Sequence, residues 1–257
     1  VHDLYVVAHP TNSTGAANLL SLRIEPKQTL KGSVLMLHGY NSGGDGTTAD
    51  KSWNCDDAFA NQMNMVHAFT PSDSFIRMKT IGYYSNNTRC DINLGSSIYT
   101  KGFLGDDSLE QGPPSHLLSN NTPLEHIAYR LAWALAKEEK DNGGKPITLV
   151  ADSLGGVIIR YAVEEMSNAT NNANAQSNFP TLSQVNLVQV VTYGSPFQGA
   201  GYADLGADSS YQAQEMKTNS AFIKDLNASD AVGSASWYTM TSTKTLTGDG
   251  FVSSESA

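Results

Sequence analysis

The sequence predicts an α/β chain: a mostly parallel sheet with helices on both of its faces. Three observations point there. The runs SVLMLHG, ITLVAD and VNLVQVVTYG are apolar almost throughout, as strands covered on both sides must be. Segments of helical periodicity alternate with them, which is how parallel neighbours are connected. And one strand, ITLVAD, passes directly through Ser153 into glycines and a new helix, leaving no room for an ordinary loop. The 257 residues suffice for one large core. Neither a repeat nor a linker divides them, so a single domain over 1–257 is expected.

The elements follow in order. LYVVAH and LLSLRIEP read as short strands, SVLMLHG as a buried strand stopped by glycine, and FIRMKTIGYY as another strand. A polar stretch with glycine and proline runs from about Ser85 to Asn121. A helix begins at Thr122, where Thr122 and Glu125 form a capping box with Pro123 at the first helical position. Leu124, Ile127, Ala128, Leu131 and Leu135 make its buried stripe, and Asn142-Gly143-Gly144 ends it. ITLVAD, the helix GGVIIRYAVEEM, and the strands VNLVQVVTYG and SWYTMTST complete the pattern.

Composition excludes several classes. With 40% hydrophobic and 16% charged residues the chain is globular. A net charge of -9 argues against nucleic acid as a partner. No apolar run approaches the roughly 18–20 residues of a transmembrane helix. Val1 is not an initiator methionine, which predicts a mature, exported chain without its signal. In that setting Cys55 and Cys90, both in polar surroundings, would pair and add roughly 3–4 kcal/mol, the alternative being two thiols. No Cys/His spacing suggests zinc, and Asp106-Asp107 is too little for calcium. No cofactor is expected. Asn-X-Ser/Thr triplets stand at Asn12, Asn86, Asn120, Asn168 and Asn227 and matter only in a glycosylating host.

The stretch TLVADSLGGVIIRY carries the chemistry. A serine between a buried strand and a helix, with small neighbours two before and two after, sits on a tight turn that projects its hydroxyl from the sheet edge. Those neighbours are Ala151 and Gly155. The following helix aims its first N–H groups and positive dipole end at the reacting centre. Ser153 is therefore the candidate nucleophile. Acyl transfer also needs donors for the tetrahedral oxyanion. One would be the N–H of Leu154. The other would come from the loop after the strand ending at Leu37, at Tyr40, with Gly39 permitting the bend. His38 is read as steadying that loop.

His38-Gly39 after a strand, the Ser153 turn, VTYGSPFQG and GDGFVS together resemble bacterial secreted lipases and esterases of the α/β-hydrolase fold, from about residue 30 onward. The resemblance implies a carboxylic-ester hydrolase working through an acyl-enzyme. It assigns the triad carboxylate to Asp249, which also follows a strand on a glycine-flanked turn, later than the serine. Two departures are plain: Ala151 replaces the usual glycine, and Phe197 replaces the histidine that often follows the Gly-Ser-Pro stretch. A third is larger. No histidine follows His126, although a triad needs an imidazole after its acid. Three accounts stay open. The chain stops short of its final strand, helix and histidine; His116 on the long polar stretch substitutes; or the protein is a catalytically inactive binding relative. Asp152-Ser153-Leu154 matches the core letters of the Gly-Asp-Ser-Leu esterases, but that family places its serine near the N-terminus. Asp152 itself is read as solvated or bonded to nearby backbone.

The expected partner is an ester, lipid-like or polyester, with contact at a lipid interface, for a secreted monomer. A lid or cap insertion is expected over 197–235. Its Tyr202, Leu205, Tyr211, Met216, Phe222, Ile223 and Leu226 either line an acyl groove or close over the core.

Overall fold

The computed structural model describes residues 5–7, 21–23, 32–40, 76–84, 87, 90–95, 119–171, 179–201, 209–228 and 233–240. Strands β1 (Tyr5–Val7) and β2 (Ser21–Arg23) pair antiparallel as a separate ribbon. The main sheet contains β3 (Gly32–Leu37), β4 (Ile76–Gly82), β5 (Ile92–Asn93), β6 (Ile147–Asp152), β7 (Leu187–Tyr193) and β8 (Ser236–Met240). Their order is β5-β4-β3-β6-β7-β8, and every neighbouring pair is parallel. The chain steps outward from β3 through β4 to β5, returns to β6, and steps the other way. The order reverses between β3 and β6, and in such sheets a crevice opens at the carboxyl ends of the two strands.

The apolar runs become these strands because alternate side chains reach the core. Leu35 and Leu37 of β3, and Ile147, Leu149 and Ala151 of β6, are buried. Helix α1 (Leu124–Asp141) buries its predicted stripe fully: Leu124, Ile127, Ala128, Leu131 and Leu135. It packs against α2 (Leu154–Asn171), whose Val157, Ile158, Ile159, Ala162, Val163 and Met166 are also buried. The end of α1 is as expected. Asn142 closes the helix, and Gly143 and Gly144 follow at φ 72° and 75°, a left-handed turn that favours glycine.

The start of α1 differs from expectation. Pro123 occupies the cap and makes no side-chain cap bond, while the Thr122 hydroxyl accepts from the Ser119 N–H. The Leu124 N–H instead donates to Glu215 Oε2 at 2.9 Å. A carboxyl group from far along the chain has replaced the local capping box. Strand β5 is a second difference. Two residues within a polar stretch give no periodicity to read, and only pairing with Ile81 and Gly82 reveals them.

Candidate active site

Ser153 stands between β6 and α2 with φ 49°, the one non-glycine residue in the left-handed region among the described residues. An L-residue there carries strain of roughly 1–2 kcal/mol, so the surroundings must impose it. The Ser153 N–H donates to the Tyr193 carbonyl at the end of β7 (2.8 Å), and the Gly156 N–H donates to the Ser153 carbonyl (3.1 Å). The first turn of α2 is wedged between two strand ends. A Cβ on Gly155 would lie 2.6 Å from the His38 carbonyl oxygen, and one on Gly156 would lie 2.1 Å from Ser195 Oγ. Ala151 is buried in register with Leu37 and Thr192, so alanine fits where glycine was the expected type.

The loop after β3 rests on this turn. A Cβ on Gly39 would lie 2.9 Å from both Ser153 Cβ and Asp152 Oδ2. Gly39 is thus required by close approach. Leu154 is the first residue of α2, so no intrahelical carbonyl can reach its N–H. Tyr40 follows Gly39, and its hydroxyl shares a 2.7 Å hydrogen bond with Ser210. Ser153 and Leu154 thus follow the carboxyl end of β6, and Tyr40 lies in the loop that follows the carboxyl end of β3.

His38 is buried and stacks on the Tyr83 ring at 4.1 Å between centroids. Its Nδ1 lies 2.8 Å from the Gly39 carbonyl and its Nε2 2.8 Å from Asn87 Oδ1. Burial lowers its pKa, against the hydrogen bonds to Gly39 and Asn87, which raise it. Each nitrogen thus faces an oxygen acceptor, one on the loop and one on Asn87. Burial, reinforced by Tyr84, Asp152 and Tyr40, holds the Tyr83 phenol well above its ordinary range, so it stays a donor. Asp152 is half-buried beside Gly39.

The segment expected to insert a lid or cap is described at 197–201, 209–228 and 233–235. It forms α3 (Tyr211–Glu215) and α4 (Ala221–Leu226), whose first turns are capped by Ser210 and Ser220. Met216, Phe222, Ile223 and Leu226 are core residues, and Phe222 stacks on Tyr161 of α2 at 5.2 Å. These four close over the core, while Tyr211 is exposed; Tyr202 and Leu205 lie outside the described residues. Helix α3 is held by polar contacts. The Tyr84 hydroxyl donates to Gln212 Oε1, and Gln212 Nε2 donates to the Ser119 and Thr122 carbonyls. Burial first, then the neighbouring Glu125, pushes Glu215 up to about 9.

Asp249, His116 and Cys55 lie outside the described residues; Cys90 is buried against Gly82. His126 belongs to α1, where its Nε2 accepts from Arg130 Nε at 3.1 Å. Tyr83, Asn87, Gln212 and Glu215 escaped the sequence reading. Tyr83 directly follows β4, the neighbour of β3, and so emerges at the same sheet edge as His38, a pairing that the sequence does not display.

Residues 122–232, a stretch shorter than half the chain that includes Ser153, match the family described as "Putative serine esterase (DUF676)". No curated protein sequence matches the chain. Among solved structures, the mature lipase BlEst2 of Bacillus licheniformis superposes with a TM-score of 0.52 at 15% identity, over 91% of this chain and 82% of that one. The fold is that of an α/β-hydrolase. Phospholipase PlaB of Legionella pneumophila aligns with a TM-score of 0.44 at 15% identity, over 86% of this chain and 44% of that one. Within the α/β-hydrolase fold, Ser153 occupies the elbow between strand and helix, and the 38–40 loop follows the neighbouring strand.

Proposed function

We propose that this chain hydrolyses carboxylic esters through an acyl-enzyme formed on Ser153. The observation that carries the reading is the left-handed Ser153 turn, packed so tightly against Gly39 that a Cβ at position 39 would lie 2.9 Å from Ser153 Cβ. An imidazole takes the Ser153 hydroxyl proton as Oγ attacks the ester carbonyl carbon. The resulting oxyanion accepts from the Tyr40 and Leu154 N–H groups, at the positive end of the 18-residue helix α2. The alcohol leaves with the proton, and water then releases the acid by the same route. Asp249 orients the imidazole in this reading. The candidate imidazole in this chain is His116. The match to a serine esterase family over 122–232 and the lipase named among the structural neighbours support an ester, lipid-like or polyester, as substrate. A secreted monomer with a Cys55–Cys90 bond belongs to the same proposal.

A second reading, a hydrolase-fold protein that binds without turnover, is favoured by one fact: no histidine stands after His126 in the sequence. Turnover of p-nitrophenyl butyrate separates the two. The expected result is measurable hydrolysis that Ser153→Ala lowers by about 10⁴-fold or more, with a fluorophosphonate labelling Ser153 alone. Full activity in a folded Ser153→Ala protein, or label on a different serine, would remove the proposal.

A further inference from the structure

The Gly39 carbonyl oxygen is gripped from the core side. The Tyr83 hydroxyl donates to it at 2.7 Å, and His38 Nδ1 lies 2.8 Å away. The His38 carbonyl lies 3.1 Å from the same hydroxyl, a longer second acceptor for its single proton, and Tyr83 is fully buried. No described peptide bond is cis. In a trans peptide the C=O and N–H point in opposite directions. With the Gly39 carbonyl drawn toward Tyr83, the Tyr40 N–H of the same peptide points away from Tyr83.

The His38 ring cannot do this alone. Asn87 Oδ1, which faces His38 Nε2, also accepts the Tyr84 N–H, so it is the oxygen and not the amide nitrogen. Both His38 nitrogens therefore face acceptors, and a neutral ring has one proton for the two. If it serves Asn87, Nδ1 turns a lone pair toward the Gly39 carbonyl. Tyr83 donates to that carbonyl in either tautomer.

We infer that Tyr83 is a positioning residue of the oxyanion site, its hydroxyl holding the Gly39–Tyr40 peptide with the Tyr40 N–H turned toward Ser153. The inference rests on the esterase reading of Ser153. Its test is Tyr83→Phe beside Tyr84→Phe, which removes the neighbouring buried hydroxyl, the one that donates to Gln212 Oε1. Losing one oxyanion donor outright lowers kcat about 10²–10³-fold. Tyr83→Phe should accordingly lower kcat on p-nitrophenyl butyrate by at least about tenfold with KM nearly unchanged, and weaken a boronic acid inhibitor in parallel, while Tyr84→Phe does neither. Unchanged kcat in Tyr83→Phe, or equal losses in the two variants, would overturn it. A crystal structure of Tyr83→Phe decides the matter without turnover. The Gly39 carbonyl should rotate or divide between orientations; a single unaltered orientation would refute the clamp. If the wild-type chain turns over no ester, the esterase reading fails while this structural outcome still stands or falls on its own.

Discussion

At the scale of single residues the site is a set of backbone demands. Ser153 adopts φ 49°, a value glycine meets without strain. Ser153→Gly should thus raise stability by about 0.5–1 kcal/mol, the relief of strain exceeding the greater freedom of glycine in the unfolded chain. A denaturant midpoint moving upward, with esterase activity lost, is the expected result; a midpoint moving down would show that the serine side chain contributes more than its backbone costs. Gly155 makes the opposite demand. A Cβ there meets the His38 and Leu37 carbonyl oxygens at 2.6 and 2.9 Å. These belong to backbone at the end of β3 and cannot swing aside. Gly155→Ala should destabilise by roughly 1–3 kcal/mol, visible as a lowered thermal midpoint. An unchanged midpoint would mean that helix and strand can separate freely.

At the scale of elements, α3 is joined to α1 through Glu215. Its carboxyl group is raised from an ordinary 4.5 to about 9, by burial first and Glu125 second. Across that window the folded state holds a proton that the unfolded state has released. Its contribution to stability therefore declines as pH rises from about 4.5 and levels off above about 9. Glu215→Gln keeps an oxygen for the Leu124 N–H but has no such proton. Unfolding measured at several pH values should show a shallower alkaline decline in the variant than in wild type. Equal slopes would place the proton elsewhere.

The same pair of elements shows what a sequence can reveal. The stripe of α1 and the glycines after it were legible, because helical period and left-handed turns are local properties. The cap was not, because Glu215 wins the Leu124 N–H only once the chain has folded back over it. Ser153, Gly39 and Gly155 were legible from the strand–turn–helix pattern. Tyr83 and Asn87 were not, because their role depends on β4 lying beside β3, with Ile81 opposite Leu37. Asp249, singled out by its glycine-flanked turn, and His116, the substitute for a histidine the pattern expects after the acid, lie outside the described residues.

At the scale of the molecule, the six parallel strands present their carboxyl ends at one edge, and the order reverses beside the serine. Parallel neighbours need long crossovers, so the site unites distant stretches of chain. The Tyr83 hydroxyl reaches back 44 residues to Gly39, and Tyr40 bonds to Ser210 across 170. During synthesis at about 5–20 residues per second, roughly 10–30 s separate the appearance of Tyr40 from that of Ser210. Until β6 is complete at Asp152, well into that interval, one edge of β3 has no partner and can template association with other nascent chains. The topology that gathers the reactive groups at one edge thus also sets a waiting time on the ribosome, and with it a demand for chaperone protection while one edge of the central strand is bare.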